Sequence, residues 1–484
     1  MIERTAGQTA GERAVDVVVI GAGTAGLAAY RAAKAVTPNV LLVEGGNHGT
    51  TCARVGCMPS KLLIAAAEAA HDASTAEPFG VHAAVRIDGR AVMDRVRHER
   101  DRFVGFVVDA VEQIPAADRI TGWAHFIDPA RLSVNDEVLL PRAVVVATGS
   151  SPFVPPLLAD IKDGVVINDD VFAWEELPDS VVVFGAGVIG LELGQALHRL
   201  GVRVRVFGKG GRLGILTDPV VHAAALHALE SEIPLDIDAA VRSVRTEGGR
   251  VFVEWQDRDG QVRAESFAYA LAATGRRPNV RGLALEKAGL VLDERGLADV
   301  DRTTLQAGTS NVFFAGDINP DVPLLHEAAD EGRIAGDNAA RYPDVKHGAR
   351  RSLLAIAFTD PELAVAGETF ASIQKHAPDA AIGEVSFENQ GRSRVMRKNR
   401  GALRVYADLA TGRFLGAEMA GPRAENIAHL LAWAHQQGLT IEQMLAMPFY
   451  HPVVEEGLRT ALRDALATRN AVRAGRVASS TAAP

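Results

Sequence analysis

Four consecutive apolar residues, Val17 to Ile20, follow the charged Asp16 and lead into Gly21-Ala22-Gly23-Thr24-Ala25-Gly26. An Ala-rich stretch and a second apolar run ending at Glu44 come next. Short unbroken apolar runs bounded by glycine predict strands buried on both faces, and the stretch between them predicts a helix. Val17 to Glu44 therefore reads as one βαβ unit, and Val181 to Gly208 repeats the same pattern. After each repeat a long meandering region closes on an apolar run carrying Ala-Thr-Gly, at Val144 to Gly149 and at Leu271 to Gly275. A third strand-like run, Asn311 to Ala315, leads through Gly316-Asp317 into a helical stretch around Leu325 to Ala340, which returns to the first domain. The second glycine-rich domain is thus expected to be inserted into the first.

From about Ser352 the texture changes. Ala355 to Phe358, Leu403 to Asp408 and Phe414 to Ala420 read as strands, the last two joined at Thr411-Gly412, and helical runs follow at Ala424 to Gln437 and Glu455 to Ala467. This segment has no nucleotide fingerprint and is available for a subunit interface. The expected fold is α/β: two Rossmann-like domains plus a C-terminal α+β domain. Its divisions are 1–150 and 276–345 for the first domain, 151–275 for the second, 346–470 for the interface domain and 471–484 for a tail. The first dozen residues are expected to fray as well.

Composition narrows the function classes. A chain of 484 residues exceeds one hydrophobic core and suggests about three folding units. A net charge of −9 offers no basic footprint for nucleic acid. Nowhere do roughly 20 uninterrupted apolar residues occur, and Met1 to Ala14 lacks a signal-peptide core, so no membrane span and a cytoplasmic location are expected. The only two cysteines lie five positions apart. A bridge between them would close a very small loop and stabilise little, so such a bridge would serve chemistry.

The first fingerprint, Gly21, Gly23 and Gly26, sits where a strand hands over to a helix, the context in which backbone amides approach a pyrophosphate. Glu44 ends the next strand 23 residues after Gly21, where a carboxylate can accept hydrogen bonds from an adenosine ribose. The second fingerprint is Gly185, Gly187 and Gly190, but the position 23 residues beyond Gly185 is Gly208. Without an acid there, Lys209 and Arg212 just downstream could attract a 2′-phosphate, which makes NADP(H) a live reading and dual use a close second. The plainer account leaves both as solvated loop residues.

The chemical centre is Thr51-Cys52-Ala53-Arg54-Val55-Gly56-Cys57-Met58-Pro59-Ser60-Lys61. In an ideal helix five residues rise about 7.5 Å, more than the roughly 4.4 to 6.8 Å that separates Cα atoms in a disulfide. The segment must therefore be distorted for the sulfurs to join, and Gly56 permits that. Pro59 suits the first turn of a helix, which would place Cys57 near its positive end, where a thiolate is favoured. A structural zinc site would need further ligands, and the chain holds no third cysteine. Two inert buried cysteines are the other bland account; beside a dinucleotide fold, a redox pair is the better one. His451, followed by Pro452 and by Glu456, offers the base that thiol chemistry requires, although an isolated histidine is more often structural.

These motifs resemble the family that contains dihydrolipoamide dehydrogenase, glutathione reductase and mercuric reductase. The resemblance spans about Asp16 to Leu466 and is closest to the dihydrolipoamide dehydrogenase-like members, through Thr51 to Lys61, Gly185 to Gly194, Ala315 to Asp317, Leu324 to Gly332, Phe358 to Pro361 and His451 to Glu456. It implies tightly bound FAD on Gly21, Gly23, Gly26, Glu44, Thr51, Lys61, Thr148, Gly149 and Asp317, the last holding the ribityl chain. NAD or NADP would use Gly185, Gly187, Gly190, Glu192, Lys209, Arg212 and Gly275. Cys57 would be the charge-transfer thiol against the isoalloxazine and Cys52 the sulfur that exchanges with substrate. Lys61 would pair with Glu192 near flavin N5. His451, held by Glu456, would act across the interface of a homodimer, whose last domain is the dimerisation domain. Thr50 stands where relatives often carry a second glycine, and Val453 and Val454 stand where Thr and other small residues are common.

The resemblance implies passage of two electrons between a nicotinamide nucleotide, FAD, the Cys52–Cys57 disulfide and a small dithiol, dihydrolipoamide being the leading one. A 2-oxo-acid dehydrogenase complex is a partner open to such an enzyme. The alternatives are NADPH-dependent reduction of another small disulfide or of a metal ion, and a nucleotide-binding redox sensor without turnover. Mercuric reductases and the larger thioredoxin reductases rely on further C-terminal cysteines, and this sequence carries none beyond Cys57.

Overall fold

The structure is a computed structural model that describes residues 12–161 and 163–475. Most of both terminal segments expected to fray lies outside those residues, and Glu12 already belongs to the first strand. In chain order the elements that matter here are β1 (Glu12–Ile20), α1 (Thr24–Lys34), β2 (Val40–Glu44), α2 (Thr51–Val55), α3 (Cys57–Ser74), α4 (Gly89–Glu112), β3 (Arg119–Thr121), β4 (Ala124–Asp128), β5 (Arg131–Val134) and β6 (Glu137–Val146). They continue with β7 (Ser180–Phe184), α5 (Val188–Arg199), β8 (Arg203–Phe207), β9 (Leu235–Asp236), β10 (Tyr269–Ala272), β11 (Val312–Phe314) and α6 (Leu325–Arg341). The last segment adds β12 (Leu354–Ala357), β13 (Glu362–Gly367), β14 (Ala381–Ser386), β15 (Ala402–Ala407), β16 (Phe414–Gly421), α7 (Ala424–Gln436) and α8 (Glu456–Arg473).

The chain divides into two compact units. The first, residues 1–59, 95–153 and 276–350, is built on a seven-stranded sheet ordered β3-β2-β1-β6-β5-β4, with β11 also pairing with β6. The β2, β1, β6 and β11 core is parallel, with Val17 to Ile20 set against Val40 to Val43 on one side and Ala143 to Val146 on the other. Val17 and Val19 pack with α1 and α6, while Val18 and Ile20 pack on the opposite face with Leu41, Phe126 and Leu132. Burial on both faces is why the run is continuously apolar instead of alternating.

The second unit, residues 60–94, 154–275 and 351–484, holds two principal sheets. One is parallel, ordered β9-β8-β7-β10 with Val165–Val166 at its edge. The other is antiparallel, ordered β12-β13-β16-β15-β14, and packs with α7 and α8 around Leu403, Phe414, Leu431 and Leu462. The α/β architecture, and the return of the chain to the first sheet at β11 after the second βαβ unit, follow the sequence pattern.

The 24-residue helix α4 does not. Arg, Asp and Glu crowd most of it, and its fully buried apolar residues are few, Met93, Val96 and Val111 among them. So narrow a stripe reads as an irregular connection. Among the described residues, no helix is long and apolar enough to cross a membrane.

Candidate active site

In the first unit, β1 ends at Gly21, whose φ of +106° suits glycine alone, and a Cβ there would overlap the carbonyl oxygen of Ala147. A Cβ on Gly26 would overlap the carbonyl oxygen of Gly21, whereas one on Gly23 would meet no atom within 4 Å. The outer two glycines are demanded by packing of the turn itself, and the middle one, capping α1, faces open space. That is the cradle a pyrophosphate needs, so the residues fit FAD. Glu44 is held at its edge, Oε2 accepting from the Ala22 amide at 2.7 Å and Oε1 from the Gly46 amide at 2.8 Å. Both oxygens keep lone pairs for ribose hydroxyls.

Elsewhere in the first unit, Asp317 Oδ2 accepts from Ser150 Oγ at 2.9 Å, and Arg276 donates to that Oγ at 2.8 Å and to the Ser150 carbonyl at 2.6 Å. Thr148 Oγ1 donates to the Asn279 carbonyl at 2.8 Å, the Asn279 amide side chain answers to the Thr148 carbonyl at 2.9 Å, and Gly149 turns the chain with φ +66°. The loop that carries Asp317 is pinned by Glu331 of α6, which accepts from the Gly316 amide at 2.8 Å and from Asn319 Nδ2 at 3.1 Å. Burial pushes the Glu331 carboxyl up, and the Gly316 amide, then the guanidinium of Arg350, 2.9 Å from Glu331 and 2.7 Å from Glu327, reverse only part of that rise. Ser150, Arg276, Asn279 and Arg350 carried no motif by which the sequence could have singled them out, and Glu331, within the stretch Leu324 to Gly332, was given no role of its own.

The sulfurs occupy a helix break. The hydroxyl of Thr50 caps α2, accepting from the Ala53 amide at 3.3 Å, and α2 stops at Gly56 before α3 starts at Cys57. A Cβ on Gly56 would lie 3.0 Å from the Thr51 carbonyl oxygen and 3.2 Å from the Cys52 Cα, so glycine lets the chain fold back over the first cysteine. Both residues are thiols here, Cys52 half-buried and Cys57 exposed. Hydrogen bonding between the two side chains, then burial, pushes the Cys52 thiol far up. Cys57, first residue of an 18-residue helix, is the sulfur whose position favours an anion.

In the second unit Lys61 Nζ meets Glu192 Oε2 at 2.7 Å, the pairing that the family resemblance implies. Glu192 is 4% exposed, and its other oxygen accepts from the Phe358 amide at 2.9 Å. Lys61 Nζ also lies 4.5 Å from the centre of the Phe358 ring. Phe358 is the partner that sequence reasoning missed, being 166 residues away from Glu192.

The second cradle repeats the first. A Cβ on Gly185 would overlap the Ala273 carbonyl oxygen, one on Gly190 would overlap that of Gly185, and one on Gly187 would meet nothing within 4 Å. Gly275 turns the far side with φ +105°. Gly208 is buried, and its own Cβ would fall 2.7 Å from both Cα and O of Ile237. The acid is absent because no side chain fits. Lys209 and Arg212 are both exposed.

His451 is 81% exposed, and its Nδ1 stands 3.0 Å from Glu456 Oε2 at the start of α8. Desolvation raises the Glu456 carboxyl, but hydrogen bonds from His451 and the Val453 amide outweigh it and hold the carboxyl below its usual range. Arg459 braces the other oxygen at 2.8 Å. Of the two unusual valines, Val454 is buried in the C-terminal core and Val453 offers its carbonyl to Gln390 at 2.8 Å.

Residues 15–332 match the pyridine nucleotide-disulphide oxidoreductase family, and residues 354–462 match the dimerisation domain of the same family. A dihydrolipoyl dehydrogenase of Halobacterium salinarum is 30% identical over 93% of this chain and 96% of its own length. A mercuric reductase of Streptomyces lividans is 30% identical over 92% of this chain and 95% of its own. The crystal structure of LpdA from Mycobacterium tuberculosis, 25% identical, covers 93% of this chain and 99% of its own with a TM-score of 0.78. Two family models together spanning most of the chain, and relatives matched over nearly their whole length, leave one assignment: the chain belongs to the pyridine nucleotide-disulphide oxidoreductases, flavoenzymes that use FAD with NAD or NADP.

Proposed function

We propose that this flavin-dependent disulfide oxidoreductase acts as a dihydrolipoamide dehydrogenase, oxidising dihydrolipoamide to lipoamide with reduction of NAD(P)+. The observation that carries the reading is the sulfur pair at the helix break, Cys52 hydrogen-bonded to Cys57 with its thiol pushed up, together with a histidine already oriented by a carboxylate.

In this reading Glu456 holds Nδ1–H of His451, which leaves Nε2 as the proton acceptor. Nε2 takes the proton of one substrate thiol, and the thiolate attacks Cys52 Sγ of the oxidised enzyme. The Cys52–Cys57 bond breaks, and Cys57 leaves as a thiolate. The second substrate sulfur then attacks the first, its proton passing to Cys52, which closes the cyclic disulfide and releases Cys52 as a thiol. The electron pair now resides on the two enzyme sulfurs. Bound FAD supplies the two-electron relay from that pair to the nicotinamide. Lys61 and Glu192 serve the nicotinamide end, and Asp317 serves the ribityl chain. Two observations support a homodimer in which His451 works for the partner's sulfurs. Residues 354–462 match a dimerisation domain, and Met447, Tyr450 and His451 form an exposed stretch that a second copy would cover.

The test is turnover of dihydrolipoamide with each oxidised nucleotide, set beside reduction of oxidised glutathione and of Hg(II) with each reduced one. Lipoamide chemistry should lead by about a hundredfold or more. Cys52→Ser and Cys57→Ser should each abolish it, and His451→Gln should lower kcat by about a hundredfold to ten-thousandfold. A faster rate with either other acceptor would reassign the substrate.

A further inference from the structure

The second cradle lacks an acid at the end of its second strand, yet a carboxylate is bonded to the loop that follows that strand. In the first unit Glu44 accepts, at 2.8 Å, from the amide two residues beyond itself, that of Gly46. Gly208 stands at the matching place, 23 residues after the first glycine of its fingerprint, and the amide two residues beyond it belongs to Gly210. That amide donates to Asp238 Oδ1, also at 2.8 Å. The same backbone group is thus held by a carboxylate in both units, from the strand end itself in one and from a neighbouring strand in the other.

The route by which Asp238 arrives explains why Gly208 is glycine. Strand β9 pairs in parallel with β8, Leu235 beside Val206 and Asp236 beside Phe207. The Gly208 amide then donates to the Asp236 carbonyl at 2.6 Å, and the backbone of Ile237 fills the space that a Cβ on Gly208 would need. The chain turns back just past that contact, with the Asp238 amide bonded to Asp236 Oδ1 at 3.1 Å, and presents the Asp238 carboxylate at the surface. The receiving loop is held from below as well. The Gly211 amide donates to the Ile237 carbonyl at 3.2 Å, and His222 Nε2 lies 2.9 Å from the Gly211 carbonyl.

We infer that Asp238 is the ribose-reading acid of the second cradle and selects a dinucleotide with a free 2′-hydroxyl, NAD(H), over one with a 2′-phosphate. This rests on the reading of the second cradle as the nicotinamide-nucleotide site. An ionised carboxylate only accepts, so Asp238 welcomes ribose hydroxyls and repels a phosphate dianion. Lys209 and Arg212 are exposed on the same loop, as Asp238 is, but the Asp238 carboxylate is fixed by the Gly210 amide at 2.8 Å, which makes it the better-placed reader.

Calorimetric titration of the FAD-loaded enzyme with NAD+ and with NADP+ reads the preference without turnover. Wild type should bind NAD+ about tenfold or more tighter than NADP+. Asp238→Asn keeps an oxygen for the Gly210 amide and removes the charge; it should shrink that ratio by about tenfold, through weaker NAD+ and stronger NADP+ binding. Lys209→Ala with Arg212→Ala, an exposed pair, should leave the ratio within about threefold. A wild type that prefers NADP+, an Asp238→Asn ratio within about twofold of wild type, or a more than tenfold loss of NADP+ binding in the double alanine variant overturns the inference. If wild type holds FAD but binds neither nucleotide, the nucleotide reading of the cradle fails instead, and the inference falls with it.

Discussion

The two glycine cradles agree in everything the backbone decides and differ in what the side chains decide. In both, the first glycine crowds a carbonyl across the sheet, the third crowds the carbonyl of the first, and the middle one borders open space. Their fingerprints run in the same 23-residue register to the end of the second strand. There they part: Glu44 grows from the strand that ends the first register, while Gly208 is sealed by Ile237 and Asp238 reaches the loop from β9. Close approach of a phosphate is a property of main-chain shape, which tolerates almost no variation. Ribose recognition needs only a carboxylate at one point in space, which different strands can deliver.

The largest effects should come from breaking the shared part. Gly26→Ala would drive a methyl into the Gly21 carbonyl, and Gly190→Ala would do the same to Gly185. Each overlap involves main chain with no flexible partner to yield, so about 3 kcal/mol or more is expected at either site. The outcomes should differ by unit: Gly26→Ala yields protein without bound FAD, whereas Gly190→Ala stays yellow and loses nucleotide binding. A colourless Gly190→Ala would mean that the two cradles are not independent. Next in size is Gly208→Glu, which installs the acid where Glu44 has it. The added Cβ meets Ile237 backbone at 2.7 Å, so melting should fall by the equivalent of about 2 kcal/mol, with no gain in NAD+ affinity. Tighter NAD+ binding in that variant would show that the strand-end position, and not Asp238, reads the ribose.

What the sequence made legible follows the same division. The strand–glycine–helix pattern, the acid at Glu44 and the five-residue sulfur spacing are local, and local patterns survive translation into one dimension. Gly56 could be read as the break between Cys52 and Cys57 because five helical residues overshoot a disulfide. Phe358 could not be tied to Glu192, nor Asp238 to Gly210, because each contact joins distant segments and uses a backbone amide that any residue supplies. Arg350 was out of reach because its ion pairs with Glu327 and Glu331 join segments that no motif connects. Helix α4 was hidden for a different reason, its buried stripe being too thin to stand out among its charges. Gly208 was legible only as an absence, which the sequence explained by nucleotide choice and the structure explains by crowding.

The smallest expected effect concerns the chain just past the strand ends. Six residues beyond Glu44 and Gly208, both units place a residue in left-handed backbone space, Thr50 at φ +58° and Gly214 at φ +55°. Glycine adopts that conformation without cost, but a β-branched residue there carries about 1 to 3 kcal/mol of strain. Thr50 repays part of it by capping α2 through the 3.3 Å bond to the Ala53 amide, a contact whose loss to glycine costs only a few tenths of a kcal/mol. Glycine would also add roughly 0.5 to 1 kcal/mol of unfolded-state entropy. The balance runs from about zero to about 2 kcal/mol in favour of Thr50→Gly, with about 1 kcal/mol expected, a rise of about one degree in Tm. Thr50→Ala, which keeps the strain and drops the cap, should melt below wild type. A Thr50→Gly protein that melts lower than wild type would show that the cap outweighs the strain, and that this threonine holds the Cys52 helix in place.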